Sequence, residues 1–252
     1  MIKFIKNIPG HLFCIYCALL FVATMLVVLI PIWIISLMPE PKKSIALHTV
    51  FRLWMRVYLT LSFSPVFIKG KEHFKKGQNY VVVINHNSLA DIPVSTPFIP
   101  GANKTLAKIE MSRIPLFGII YKSGSILVDR KEGNSRTESI NKMQETLEMG
   151  INLCLYPEGT RNKTNKPLQP FHNGAFVTAI KAQKPIIPAL IFNTGKILPN
   201  NKTAWMRPMP IYFHFLEPIS TEGLTLDDTN QLKETVYKLM EDYYVSHLKN
   251  KA

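Results

Sequence analysis

The sequence predicts an α/β fold, with a central mixed sheet flanked by helices and an N-terminal membrane-associated helical segment before it. Three observations predict it. The run from Leu12 to Met38 carries no charged side chain. Downstream of it come short apolar runs of strand length. Between those runs lie stretches of helical periodicity, and strands alternating with helices imply a sheet covered by helices.

The elements follow in order. As a helix, the Leu12 to Met38 run would reach roughly 40 Å, against about 30 Å for a bilayer's hydrocarbon core. It fits either a tilted span or a helix that breaks near Pro31 and re-enters or lies in one leaflet. It is too long for a signal peptide, and it ends Ser36-Leu37-Met38-Pro39, without a small-residue cleavage site. From Ser44 to Phe67, spacings of four put His48, Arg52 and Arg56 on one helical face, opposite Phe51, Trp54, Tyr58 and Leu59. This pattern suits an interfacial helix with its cationic side toward lipid headgroups, and equally a helix packed on the following domain. Lys and Arg are more numerous after the apolar run than before it, which places the large domain on the cytoplasmic face. The expected boundaries are a membrane anchor over 1–64 and an α/β domain over 65–252.

Within that domain, strands are expected at Tyr80 to Ile84, Ser125 to Val128, Ile151 to Tyr156, Ile186 to Phe192 and Ile211 to Leu216. Ser135 and Glu138 have capping-box spacing, Ile140, Met143 and Leu147 share a helical face, and Gly150 closes that helix. Leu232, Val236, Leu239, Met240 and Tyr243 form a second apolar stripe.

The chain has 252 residues and a formal net charge of +13, from 30 Lys and Arg against 17 Asp and Glu. The first 40 residues hold only Lys3, Lys6 and Glu40 as charges, so the excess belongs to the domain. A basic domain suits an anionic partner such as a phospholipid surface, a phosphorylated substrate or a nucleotide-bearing carrier. Nucleic acid is not expected, because zinc-type spacing, a recognition-helix pattern and an aromatic RNA-binding signature are all missing. Three cysteines make no disulfide framework: Cys14 and Cys17 sit inside the apolar run, and Cys154 lies in a predicted strand. That usage fits a reducing, cytoplasm-facing environment.

Three clusters carry chemistry. The first, Asn85-His86-Asn87-Ser88-Leu89-Ala90-Asp91, follows directly on a predicted strand. Ligands of α/β sheets bind beyond the carboxyl ends of strands. There, Asp91 can keep one imidazole nitrogen protonated and leave the other to take a proton from an alcohol. Alternatively, His86 caps a turn and Asp91 starts a helix. No G-x-S-x-G elbow accompanies the pair, and Ser88 is better placed to bond backbone. Direct attack by a substrate hydroxyl on an activated acyl group is then simpler than a serine intermediate. The second cluster is Tyr156-Pro157-Glu158-Gly159-Thr160-Arg161. Gly159, Thr160 and Arg161 suit an anion cradle, and Glu158 is expected to order Arg161 or another basic side chain. The third is Gly124 to Arg130, where Arg130 is either a second phosphate ligand oriented by Asp129 or half of a surface ion pair. Lys104 and Lys108 precede a Pro-Leu-Phe-Gly turn at 115–118, where either could touch an anionic substrate or stay solvated.

In order and spacing these clusters resemble the glycerolipid acyltransferase family, and within it most the lysophosphatidic acid acyltransferases. Asn85, His86, Ser88 and Asp91 match its N-H-x-S-x-x-D block, Gly124 to Arg130 its second block, and Tyr156 to Arg161 its third. Ile186-Ile187-Pro188 match its fourth, and Ala107, Lys108 and Glu110 an Ala-Lys-x-Glu segment. The resemblance covers residues 65 to 220 or so. It implies acyl transfer from an acyl-CoA or acyl carrier protein thioester to the 2-hydroxyl of lysophosphatidic acid, giving phosphatidic acid among membrane lipids. It implies catalytic roles for His86 and Asp91 and substrate-binding roles for Lys108, Arg130, Glu158, Gly159, Thr160 and Arg161, with no metal or bound organic cofactor. Two departures bear on the acceptor: Asn162 stands where the family has Ser or Thr, and His172 where it has Lys. Another lysophospholipid, glycerol-3-phosphate or a lyso-aminolipid thus stays open as acceptor. From other classes, a lipid esterase and a non-enzymatic membrane lipid-binding protein are the rivals.

Overall fold

The structure, a computed structural model, describes residues 8–128, 135–164 and 166–249. Seven strands form one sheet: β1 (Val66–Lys69), β2 (Val81–Ile84), β3 (Asn103–Lys108), β4 (Ser125–Val128), β5 (Asn152–Leu155), β6 (Ile186–Phe192) and β7 (Ile211–Phe215). Their order is β1-β7-β6-β2-β5-β3-β4. Only the β6–β7 pairing is antiparallel, so β1 and β7 run against the other five and the sheet is mixed. Every residue of β2, β5 and β6 is buried. Strands covered on both faces read as continuous apolar runs, and the sequence shows them so. The strands that escaped sequence reading are β1, which alternates half-buried and exposed residues, and β3, whose Asn103, Lys104 and Thr105 hide it.

The helices are α1 (Ile8–Ser36), α2 (Lys42–Leu61), α3 (Ile92–Phe98), α4 (Phe117–Gly124), α5 (Ser135–Glu148), α6 (Gly174–Lys181), α7 (Thr194–Ile197) and α8 (Thr229–Lys249). Successive strand residues point to opposite faces, so the sheet has two cores. On one face, Met25 of α1, Trp54 and Tyr58 of α2, Val94 of α3 and Ile120 of α4 pack on Val82, Ile84 and Ile191. On the other, Met143 of α5, Phe176 of α6 and Val236 and Met240 of α8 pack on Val81, Val83 and Leu190.

Helix α1 runs unbroken through Pro31 and buries only Gly10, Cys17, Met25 and Ile32. Those four lie seven or eight residues apart, which makes one narrow seam along the helix. Leu12, Leu19, Val27, Ile30 and Trp33 are all more than half exposed. By length and composition α1 is long and apolar enough to cross a membrane. Both of its ends nevertheless meet the same domain. At the start, Met206 N donates to Gly10 O at 3.0 Å, and His11 Nδ1 lies 2.8 Å from Ala204 O. Just past the end, Lys104 Nζ pairs with Glu40 Oε1 at 2.7 Å.

Helix α2 turns its His48–Arg52 stripe toward the protein, which corrects the headgroup-facing alternative. His48 is buried, with Nδ1 2.8 Å from Ser44 O and Nε2 accepting from Asn103 N at 3.3 Å. Arg52 Nε donates to Pro97 O at 3.1 Å. Carbonyls at the end of α3 attract the guanidinium more specifically than a headgroup layer could. The exposed side of α2 carries Ile45, Leu53, Val57 and Leu61 beside Arg56.

Burial lowers the His48 pKa from 6.5 to about 4. The folded chain therefore binds fewer protons at this site than the unfolded chain, and the stability its neutral form contributes is present above pH 6.5 and lost as pH falls toward 4. Thermal unfolding in detergent should show the stability of wild type relative to His48→Gln rising by on the order of 3 kcal/mol across that window. A difference independent of pH would contradict a neutral, buried His48.

Candidate active site

The site lies at the carboxyl ends of β2 and β5, which are adjacent. The chain leaves β2 for α3 on one face of the sheet and leaves β5 for α6 on the other. Diverging connections open a crevice between the two strand ends.

Four side-chain anchors shape the β2 loop. Asn85 is fully buried and bonds both sides of Ile191: its Nδ2 donates to Ile191 O at 3.0 Å and its Oδ1 accepts from Ile191 N at 2.7 Å, fastening the end of β2 to β6. Ser88 Oγ accepts from Ala90 N at 3.2 Å and donates to Leu198 O at 2.8 Å, so this hydroxyl serves backbone. Asp91 is 0% exposed, and its Oδ2 accepts from Asn87 N at 2.7 Å, Ser88 N at 2.8 Å and His86 Nδ1 at 2.8 Å. Glu158, from the β5 loop, accepts His86 N on Oε1 at 2.7 Å and Gln169 N on Oε2 at 2.9 Å. Asn162 N donates to His86 O at 2.6 Å, so the β5 loop holds both the amide and the carbonyl of His86.

The His86 ring is fixed as well. Tyr156 stacks on it, with centroids 4.2 Å apart and planes 26° apart, and the Tyr156 hydroxyl lies 2.6 Å from Ser95 Oγ. An ionised Asp91 accepts at Nδ1, so Nδ1 carries the proton and Nε2 the lone pair. Among the described residues, Nε2 has no hydrogen-bond partner, and the side chain is 14% exposed. The two sequence alternatives therefore coincide: Asp91 ends a capping box with Ser88 at the start of a helix and orients His86 at the same time.

Burial pushes the Glu158 carboxyl up to about 7, against the two amides and His86 that pull it down. Burial likewise raises the Tyr156 phenol well above its ordinary range. Glu158 was expected to order Arg161, but it holds the backbone of His86 and Gln169 instead.

The remaining candidates divide. Gly159 has φ +68°, and a Cβ there would lie 2.8 Å from His172 Cδ2, so glycine is required and His172 borders the cluster. Thr160 is exposed. Arg161 is half-buried and donates from Nη1 to Asn200 Oδ1 at 3.0 Å, while Asn200 Nδ2 donates to Asn87 O at 2.7 Å. Lys108 is exposed at the end of β3, on the same sheet edge as His86. Lys104 is at the opposite edge, paired with Glu40. Asp129 and Arg130 lie outside the described residues. The Asn162 side chain is absorbed in its own turn, accepting from Thr164 N at 2.8 Å. Sequence reasoning missed Asn200 and the Tyr156–His86 stack. Asn200 is 113 residues from its partner Asn87, too far for any local signal. Among the described residues, no group of three or more His, Cys, Asp or Glu could hold a metal.

The acyltransferase family profile matches residues 65–192. The 1-acyl-sn-glycerol-3-phosphate acyltransferase alpha of Mus musculus is 33% identical over 67% of this chain and 60% of its own length. The 1-acyl-sn-glycerol-3-phosphate acyltransferase of Cocos nucifera is 30% identical over 77% of this chain and 61% of its own. The chain thus spans about three fifths of the length of these relatives. The crystal structure of the 1-acyl-sn-glycerophosphate (LPA) acyltransferase of Thermotoga maritima aligns over 99% of this chain and 98% of that one, with a TM-score of 0.76 and 23% identity, so the two share a fold. With its profile match covering half of its length and enclosing β2, β5 and the crevice between them, the chain belongs to the acyltransferase family.

Proposed function

We propose that this protein transfers an acyl group from a thioester donor, acyl-CoA or acyl carrier protein, to the 2-hydroxyl of 1-acyl-glycerol-3-phosphate. The product is phosphatidic acid. The observation that carries this reading is the 2.8 Å bond from His86 Nδ1 to a fully buried Asp91, with Nε2 left without a partner among the described residues. The names of the relatives from Mus musculus and Cocos nucifera supply the acceptor.

In this mechanism the acceptor hydroxyl oxygen attacks the thioester carbonyl carbon as His86 Nε2 takes its proton. Asp91 stabilises the resulting imidazolium and cannot rotate away, because two backbone amides hold the same oxygen. The tetrahedral adduct then breaks its carbon–sulfur bond, and the leaving thiolate takes the proton back from Nε2. Arg161, Thr160 and the backbone at Gly159 bind the acceptor phosphate, with Lys108 as a further cation at that edge and Arg130 as a further phosphate ligand. Glu158 is a positioning residue that acts through the backbone of His86.

Residues 1–64 serve as the membrane anchor and 65–252 as the acyltransferase domain. Because both ends of α1 touch one domain, α1 and the exposed side of α2 lie in a single leaflet, and the domain sits against the cytoplasmic face. An exposed apolar surface of this extent requires lipid around it.

Thiol release from palmitoyl-CoA with a panel of lyso-acceptors is the direct test. His86→Ala should lose at least ~10² in rate while unfolding as wild type does. Arg161→Ala should raise KM for lysophosphatidic acid far more than KM for the thioester. Turnover by His86→Ala at the wild-type rate would refute the mechanism, and equal KM effects would remove Arg161 from the acceptor site. Preference for another lyso-acceptor would move the acceptor and make His172→Lys the next variant.

Glu158 adds a pH dependence of opposite sign to that of His48. Its folded pKa is raised, so the folded chain binds more protons than the unfolded chain between pH 4.5 and 7, and stability falls as pH rises through that window. The stability of wild type relative to Glu158→Gln should therefore drop by on the order of 3 kcal/mol from the acid to the neutral end, read by thermal unfolding. A flat difference would mean that Glu158 is not held in a desolvated site.

A further inference from the structure

A cleft of about 580 Å³ opens one residue beyond His86, at Asn87. Its walls come from the β5 loop through Asn162 and Lys163, from the segment after β6 through Lys196 and Asn200, and from α8 through Tyr244. The volume is in the range of small-ligand sites. Phe192 and Tyr244 supply an aromatic floor, with centroids 5.2 Å apart. Lys163 and Lys196 are exposed at the rim, neither is in an ion pair among the described residues, and no carboxylate lines the cleft. Asn200, which lines it, also holds Arg161.

The location matters as much as the composition. Phe192 belongs to the core under α8, on the sheet face opposite α1 and α2. A lipid acceptor arrives from the α1–α2 side, where the exposed apolar surface lies. The opposite wall runs on from Lys196 into Ile197 of the α1–α2 core, so the cleft opens at the sheet edge beside His86. An aromatic floor beside cations and side-chain amides suits a flat base carrying phosphates. A protein carrier would need an open patch rather than a recess of this size.

We propose that this cleft holds the phosphate-bearing nucleotide end of an acyl-CoA donor, whose thioester reaches His86 past Asn87. The assignment rests on the acyl-transfer reading above. It sets the donor nucleotide beside the acceptor phosphate site at one sheet edge, with Asn200 lining the cleft and holding Arg161.

The test uses the full chain in detergent and the double variant Lys163→Ala, Lys196→Ala, whose exposed positions leave the core intact. KM for palmitoyl-CoA should rise roughly tenfold or more, with kcat and KM for lysophosphatidic acid unchanged. With palmitoyl-pantetheine, which lacks the nucleotide, variant and wild type should be indistinguishable. Calorimetry with CoA itself should show binding by wild type that the variant weakens to the same degree. That last arm is independent of turnover, so it separates failure of the cleft from failure of the acyl-transfer reading. A rise in KM for lysophosphatidic acid instead would make the cleft an acceptor phosphate site. An equal loss with palmitoyl-pantetheine, no loss at all, or turnover with acyl carrier protein thioesters and no CoA binding would each overturn the proposal.

Discussion

One oxygen, Asp91 Oδ2, organises the catalytic edge of this protein. A carboxylate with no solvent exposure is tolerated only when hydrogen bonds replace its water. Here two backbone amides and the His86 ring supply them to Oδ2, all at 2.7–2.8 Å, while Oδ1 is buried without a partner among the described residues. The same three bonds close the turn after β2, start α3 and select the imidazole tautomer. Glu158 is the counterpart on the other side of the crevice. It holds the His86 amide where Asp91 holds the ring, so two buried carboxylates from two loops fix one residue.

These two acids differ in consequence. Asp91 bonds the group that would change charge in the proposed reaction, where its negative charge would stabilise an imidazolium. Glu158 bonds only amides, and its burial raises its pKa to about 7. Around them the sheet divides the surroundings. The face under α1 and α2 extends into exposed apolar surface, and a basic, amide-lined cleft opens between α8 and the segment after β6. The proposed reaction joins a lipid to a water-soluble carrier and needs an edge that both can reach, which the crevice between β2 and β5 would provide.

How much of this the sequence revealed depended on whether the cause was local. Strands β2, β4, β5, β6 and β7 were legible because burial on one or both faces imposes an apolar run on each. β3 was not, since Asn103 and Thr105 are buried polar residues that break the apolar run. The α2 stripe was legible as a pattern but not in direction. His48, Arg52 and Arg56 have the same periodicity whether they face headgroups or protein, and the outcome was set by Asn103 N and Pro97 O, some 45 to 55 residues away. At the site, His86, Asp91 and Arg161 could be named from their order along the chain. The role of Glu158 could not, because its partner His86 is 72 residues distant and a glutamate side chain does not announce whether it will meet a cation or an amide.

The central claim is that a buried Asp91 fixes the neutral His86 ring with its proton on Nδ1 and a bare Nε2. Nitrogen NMR of protein labelled at its seven histidines, with His86 assigned by loss of its signals in His86→Gln, measures this directly. The account requires a protonated Nδ1 and an unprotonated Nε2 in the neutral ring, and loss of that preference in Asp91→Ala. A neutral His86 with its proton on Nε2, or a tautomer ratio indifferent to Asp91, would contradict it.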